Sequence, residues 1–162
     1  MKEHKYQSKI EWTGNNGSGT DSYKSYERNH NVIIENKPII QGSSDPAFRR
    51  EKSKHNPEDL LVSSISSCHM LWYLHFCSVN NVIVDEYTDI AEGIMLEDAN
   101  GKGYFKEVTL HPNLIVRSNE MVEKAIELHK KANEYCFIAN SVNFPIKHLP
   151  IVSIKTFNVK LL

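Results

Sequence analysis

The strongest constraint on this chain lies at residues 56–59. Asn56-Pro57-Glu58-Asp59 is a helix start: Asn as N-cap, Pro at the first helical position, two acids in the first turn. Leu60, Leu61, Ile65, Leu71, Trp72 and Val79 continue it as a long, mostly apolar helix to about Asn80. A helix this apolar is buried on more than one side. Ser63, Ser64, Ser66 and Ser67 keep its middle slim, which lets another helix approach closely.

The flanking segments carry strand patterns. Residues 5–12 alternate, with Tyr6, Ser8, Ile10 and Trp12 on one face and Lys5, Gln7, Lys9 and Glu11 on the other. A Gly/Asn-rich turn at 15–19 leads to an expected return strand over 23–29, followed by a short hairpin around Glu35-Asn36-Lys37 and a polar loop over 41–55. Beyond the helix, 82–96 and 104–117 read as two strands joined by a turn at 98–103. Ser118 starts a second helix, on which Val122, Ala125, Ile126, His129, Ala132 and Cys136 recur at helical spacing. Residues 140–150 read as irregular and 151–162 as a final strand. Strands, long helix, hairpin, helix, strand is an α+β order, and with no repeat or linker the expectation is a single domain over residues 1–162.

Composition narrows the function. With 19 basic and 20 acidic residues the net charge is −1, and no Lys/Arg run marks a phosphate-binding face, so no nucleic acid is expected as partner. The apolar run at 71–77 is interrupted by His75 and is far shorter than a bilayer span, so no membrane is expected either. Met1-Lys2-Glu3-His4-Lys5 lacks the apolar core of a signal peptide, which makes the cytoplasm the expected address. Cys68, Cys77 and Cys136 contain no CxxC pair and no zinc spacing, so neither metal nor cofactor is expected. What remains is buried inert thiols or a reactive pair.

Helical geometry sorts the three. Cys77 follows Cys68 by nine positions and points to the opposite face, so those two cannot pair within one helix. His75 shares the Cys68 face but lies roughly 10 Å further along the axis, too far for a general base without a water chain. A Cys/His hydrolase is poorly supported. Cys77, among Leu74, Phe76 and Val79, reads as a small core hydrophobe.

The segment from Asn56-Pro57-Glu58-Asp59 through Ser66-Ser67-Cys68-His69 resembles the OsmC/Ohr family (osmotically inducible and organic hydroperoxide resistance proteins), as does the later His129-Lys130-Lys131-Ala132-Asn133-Glu134-Tyr135-Cys136. Glu11-Trp12-Thr13-Gly14 and the Gly19-Thr20 turn are similar to its OsmC side. The resemblance implies an OsmC-like fold, an intertwined homodimer, and a thiol peroxidase acting on organic hydroperoxides. It assigns Cys68 as peroxidatic thiol, Cys136 as resolving thiol, and Glu58 as the carboxylate holding an arginine near the sulfur. For that arginine Arg49 is the first candidate, Arg50 the second, and Arg28 the third. The implied partners are a hydroperoxide and an external dithiol, lipoyl-type or thioredoxin-like. Glu58 and Cys68 are ten residues apart, roughly 15 Å along a helix, so two antiparallel copies of the helix would complete one site.

A redox sensor or binding protein of the same fold, whose thiol does not turn over, is the alternative; an OsmC-like domain with inert cysteines is a third. His69 stands where many members of the family carry Phe, and Cys136 is followed by Phe137 rather than by the Pro of a Cys-Pro step.

Overall fold

The computed structural model describes residues 1–45 and 53–155. Its backbone forms two compact units, residues 1–61 and 62–162. In the first, β1 (Lys9–Trp12), β2 (His30–Ile33) and β3 (Ile40–Gly42) make an antiparallel sheet with β2 in the middle. Lys9 pairs with Ile33 and Trp12 with His30. The expected return strand over 23–29 is therefore displaced: the partner of β1 starts at His30. Residues 23–28 are instead occupied by a turn that Arg28 ties down, its guanidinium donating to the Tyr23 and Tyr26 carbonyls at 3.1 and 2.8 Å and lying over both rings. The hairpin joining β2 to β3 forms as expected, with Asn36 at φ 61° in its turn.

The helix α1 (Pro57–Val79) has the predicted start. Asn56 Oδ1 accepts the Asp59 N–H at 2.6 Å, while Asp59 Oδ2 accepts the Asn56 N–H at 3.2 Å. Two otherwise orphaned donors are thus satisfied reciprocally. The helix ends in a Schellman motif. Asn81 takes φ 59°, the Val82 N–H reaches the Cys77 carbonyl at 2.9 Å, and the Asn81 N–H reaches that of Ser78 at 3.3 Å. By length and composition alone α1 could cross a membrane, but its Ile65, His69, Tyr73, Phe76 and Cys77 are buried inside the protein.

The two long strands expected after α1 are each broken once. They form β4 (Val84–Asp89), β5 (Glu92–Glu97), β6 (Gly103–Leu110) and β7 (Pro112–Val116). The β5–β6 hairpin closes on Asp98, whose Oδ1 accepts the N–H groups of Asn100 and Lys102, with Gly101 at φ 78°. Residues 140–150, expected to be irregular, contribute β8 (Ile146–His148), which runs parallel to β6. After a break at Leu149-Pro150, β9 (Ile151–Ile154) runs parallel to β7. The same three stretches of chain therefore make two three-stranded sheets, β4-β7-β9 and β5-β6-β8.

All three stretches turn at one corner, and Asp89 fastens it. Its Oδ1 accepts the His111 N–H at 2.7 Å, and its Oδ2 accepts the Ser66 hydroxyl of α1 at 2.5 Å. α2 (Val122–Tyr135) buries Ala125, Leu128, His129 and Ala132; Ile126, expected inward, is half exposed and Leu128 takes its place. Tyr73, Phe76, Cys77, Leu114, Val116, Ala125 and Leu128 form the core between α1, α2 and β7.

Candidate functional site

The fold brings two distant thiols together. Cys68 is half-buried in the middle of α1, and Cys136, fully buried, is the residue at which α2 ends. The chain leaves the helix there, with Cys136 at φ −68° and ψ 112°. Its Sγ accepts the Ala139 N–H at 3.4 Å. Burial pushes the Cys136 thiol up to about 11, and the neighbouring Cys68 thiol adds to the rise. Both thiols are free.

Cys77 faces the core, as the nine-residue offset requires. Burial raises its pKa, and the nearby Tyr73 hydroxyl works against the rise. The Tyr73 hydroxyl donates to the Ala125 carbonyl at 3.0 Å, linking α1 to α2.

Aromatic residues flank the thiol pair. Trp72, one turn after Cys68, packs its ring 5.4 Å from Tyr135 and 5.7 Å from Phe137, the two neighbours of Cys136 in the chain. Phe76 lies 5.0 Å from Tyr135, and the Lys131 ammonium sits 4.6 Å above the Phe76 ring. Leu71, Tyr135 and Phe137 are exposed, so the pair is bordered by an apolar surface.

Glu58 stands in the first turn of α1, half-buried, its Oε2 shielded from water and without a hydrogen-bond partner among the described residues. Arg49 and Arg50 lie outside the described residues. Arg28 is engaged in the N-terminal turn described above.

One layer away from the thiols is a group that sequence reasoning missed. His69 Nε2 and His129 Nδ1 share a hydrogen bond of 2.9 Å in the core, and the His148 ring lies 4.3 Å from that of His69. The Tyr73 ring stacks on His129 at 3.9 Å. Burial, reinforced by their neighbours, lowers His69 to about 3 and His129 to about 4, so both rings are neutral at pH 7. His148 is lowered too, by burial, with Asp89 pulling the other way. The signal was available: each helix carries a histidine at a position its own apolar pattern turns inward. Among the described residues no group of three or more His, Cys, Asp or Glu is arranged to hold a metal ion.

An α+β subunit with two free thiols near one another, one on each helix, defines a class of protein. The model of the OsmC family (OsmC-like protein) matches residues 50–148, and the chain belongs to that family. An OsmC-like protein of unknown function from Vibrio cholerae superposes with a TM-score of 0.80 at 29% identity, over 93% of this chain and 100% of that one. An organic hydroperoxide resistance protein from Elizabethkingia anophelis gives 0.67 at 21% identity, over 95% and 100%. One from Legionella pneumophila gives 0.66 at 17% identity, over 93% and 99%. No curated protein matches the chain.

Proposed function

We propose that this protein is a thiol-dependent peroxidase that reduces organic hydroperoxides. The observation that carries the reading is the nearness of Cys68 to Cys136, two free thiols on different helices of which the first perturbs the pKa of the second. Membership of the OsmC family and a fold shared with organic hydroperoxide resistance proteins support it.

In the first step the Cys68 thiolate attacks one peroxide oxygen. The O–O bond breaks, the alkoxide leaves with a proton as alcohol, and Cys68 becomes a sulfenic acid. Cys136 then attacks that sulfur and releases water, forming a Cys68–Cys136 disulfide. Its raised pKa keeps the resolving thiol protonated, so it does not compete for peroxide, and its nearness to Cys68 keeps the path short. An external dithiol, lipoyl-type or thioredoxin-like, returns both sulfurs to thiols and is itself oxidised to a disulfide. The aromatic border of half-buried Trp72 and exposed Tyr135 and Phe137 favours apolar hydroperoxides over hydrogen peroxide.

The reading extends to a homodimer in the cytoplasm. Glu58 precedes Cys68 by about 15 Å of helix, so a second copy supplies the carboxylate, with Arg49 as the guanidinium it holds against the peroxide.

Consumption of cumene hydroperoxide by the reduced protein, with dihydrolipoamide as reductant and a Cys68→Ser control, tests the proposal. Turnover that disappears in the control is expected. A Cys68 that is freely alkylated yet gives no turnover with either class of dithiol would leave the sensor reading in its place.

A further inference from the structure

A resolving thiol has to meet Cys68, and the hydrogen bonds of its own segment do not bring it there. The Cys136 N–H reaches the Asn133 carbonyl at 3.3 Å, and the Asn140 N–H reaches the Cys136 carbonyl at 3.0 Å. The Cys136 Sγ accepts from Ala139, and the Asn140 side-chain amide donates to the Glu134 carbonyl at 2.9 Å. All of these bonds lie within residues 133–140, so they fix Cys136 to the end of α2 and not to α1. The polar links between the helices, Tyr73 to Ala125 and His69 to His129, lie about 16 and about 10 Å back along α2.

Aromatic packing supplies the missing link. Trp72 follows Cys68 on the same face of α1, one turn and about 6 Å further on. Its indole lies 5.4 Å from the ring of Tyr135, the last residue of α2. It also meets the Phe137 ring edge-on at 5.7 Å, just beyond the helix. One side chain of α1 thus holds the chain on both sides of Cys136. On its own helix the indole is seated against Phe76, stacked at 5.7 Å, and against His75, edge-on at 5.7 Å. Rings at these separations and angles attract beyond the area they bury, so the indole is a specific clamp.

We infer that Trp72 is the positioning residue of the resolution step, holding the end of α2 so that the Cys136 sulfur meets a sulfenic acid on Cys68. The inference rests on the peroxidase reading. In that step the Cys136 sulfur attacks the Cys68 sulfur, the S–O bond breaks, and the hydroxyl leaves with the Cys136 proton as water. A sulfenic acid that waits is open to a second hydroperoxide, which oxidises it to sulfinic acid and departs as alcohol. Trp72 therefore sets the balance between a closed cycle and an overoxidised thiol.

The test is rapid quenching of the reduced full chain after mixing with cumene hydroperoxide. Mass spectrometry then reads the sulfenic and sulfinic acids of Cys68 and the Cys68–Cys136 disulfide. Closure of the disulfide is first order and independent of peroxide concentration, so it is read apart from any change in the first step. Trp72→Leu keeps apolar bulk without a ring. Its disulfide should close about 10- to 100-fold more slowly, the cost of misplacing a reacting atom by about 1 Å, and sulfinic acid should accumulate at excess peroxide. Trp72→Phe restores a ring and should recover most of the closing rate. Val116→Ala, which opens the core at β7, should lose stability yet close at the native rate. The inference fails if Trp72→Leu closes as fast as the native chain, or if Trp72→Phe closes no faster than Trp72→Leu. It fails too if Val116→Ala slows closure as much, since loosening of the core would then account for the effect. A native chain that forms neither sulfenic acid nor disulfide would overturn the peroxidase reading itself, and this inference with it.

Discussion

Lowering the pH from 7 to 5 should remove about 4 kcal/mol of folding stability through His69 and His129 alone. In the folded protein their pKa values are about 3 and about 4, against an ordinary value of 6.5. Because the folded values are depressed, the unfolded chain binds more protons between these limits, and stability falls as pH falls through that window. At pH 5 an unfolded histidine is almost fully charged while either buried ring is still neutral. Each then contributes about 2 kcal/mol to the loss, a figure insensitive to the folded value as long as it stays at about 4 or below. Both side chains are almost completely buried, so solvent does not screen the effect. The third ring, His148, acts in the same direction, with Asp89 reducing its share. Against a typical total of about 5–15 kcal/mol this is a large fraction. Urea titrations followed by tryptophan fluorescence at pH 7, 6 and 5 measure it, and the window stops above the range where most carboxylates titrate. His129→Gln should flatten the dependence by about half. A stability unchanged between pH 7 and 5, or a slope identical in the variant, would refute the reasoning.

Other perturbations separate the roles of the remaining groups. Cys136→Ser should consume one equivalent of hydroperoxide and then accumulate a sulfenic acid on Cys68, seen by mass spectrometry after trapping with dimedone. Cys77→Ser should retain peroxide turnover and lose about 1 kcal/mol of stability, because a hydroxyl replaces a thiol in an apolar cluster. Asp89→Ala removes both hydrogen bonds at the sheet corner and should cost about 2–4 kcal/mol in a urea melt. Asp89→Asn, which keeps an acceptor for the His111 N–H, should recover about half of that.

Local chemistry made α1 legible from its residues. Asn56 caps it, Pro57 and the acids open it, and the reciprocal bonds between Asn56 and Asp59 are made by neighbours in the chain. The hairpin turn at Asp98–Gly103 was legible for the same reason, since Asp98 satisfies its own loop. The offset between Cys68 and Cys77 followed from helix periodicity, which placed Cys77 in the core.

The interruptions of the strands could not be read in that way. Nothing local marks Ile90-Ala91 as a corner; Asp89 breaks the ladder there because Ser66, 23 residues earlier, and His111, 22 residues later, both bond to it. Strand β8 was invisible because three residues beside two prolines carry no periodic signal, and it exists only because β6 offers a parallel edge. The return strand was misplaced for a related reason: Tyr23 and Tyr26 look like strand residues, but their carbonyls and rings are taken by Arg28.

By itself, then, the sequence determined the central helix, its ends, the two cysteines whose surroundings resemble a family, and the class of fold. Those features depend on residues within a few positions of one another or on a motif read whole. Only the tertiary structure decided that the Cys68 and Cys136 thiols come near one another, that the strands bend at Asp89, and that His69, His129 and His148 share one buried layer. Each of those joins side chains tens of residues apart, and it is burial, which no local pattern specifies, that sets the protonation of the groups it brings together.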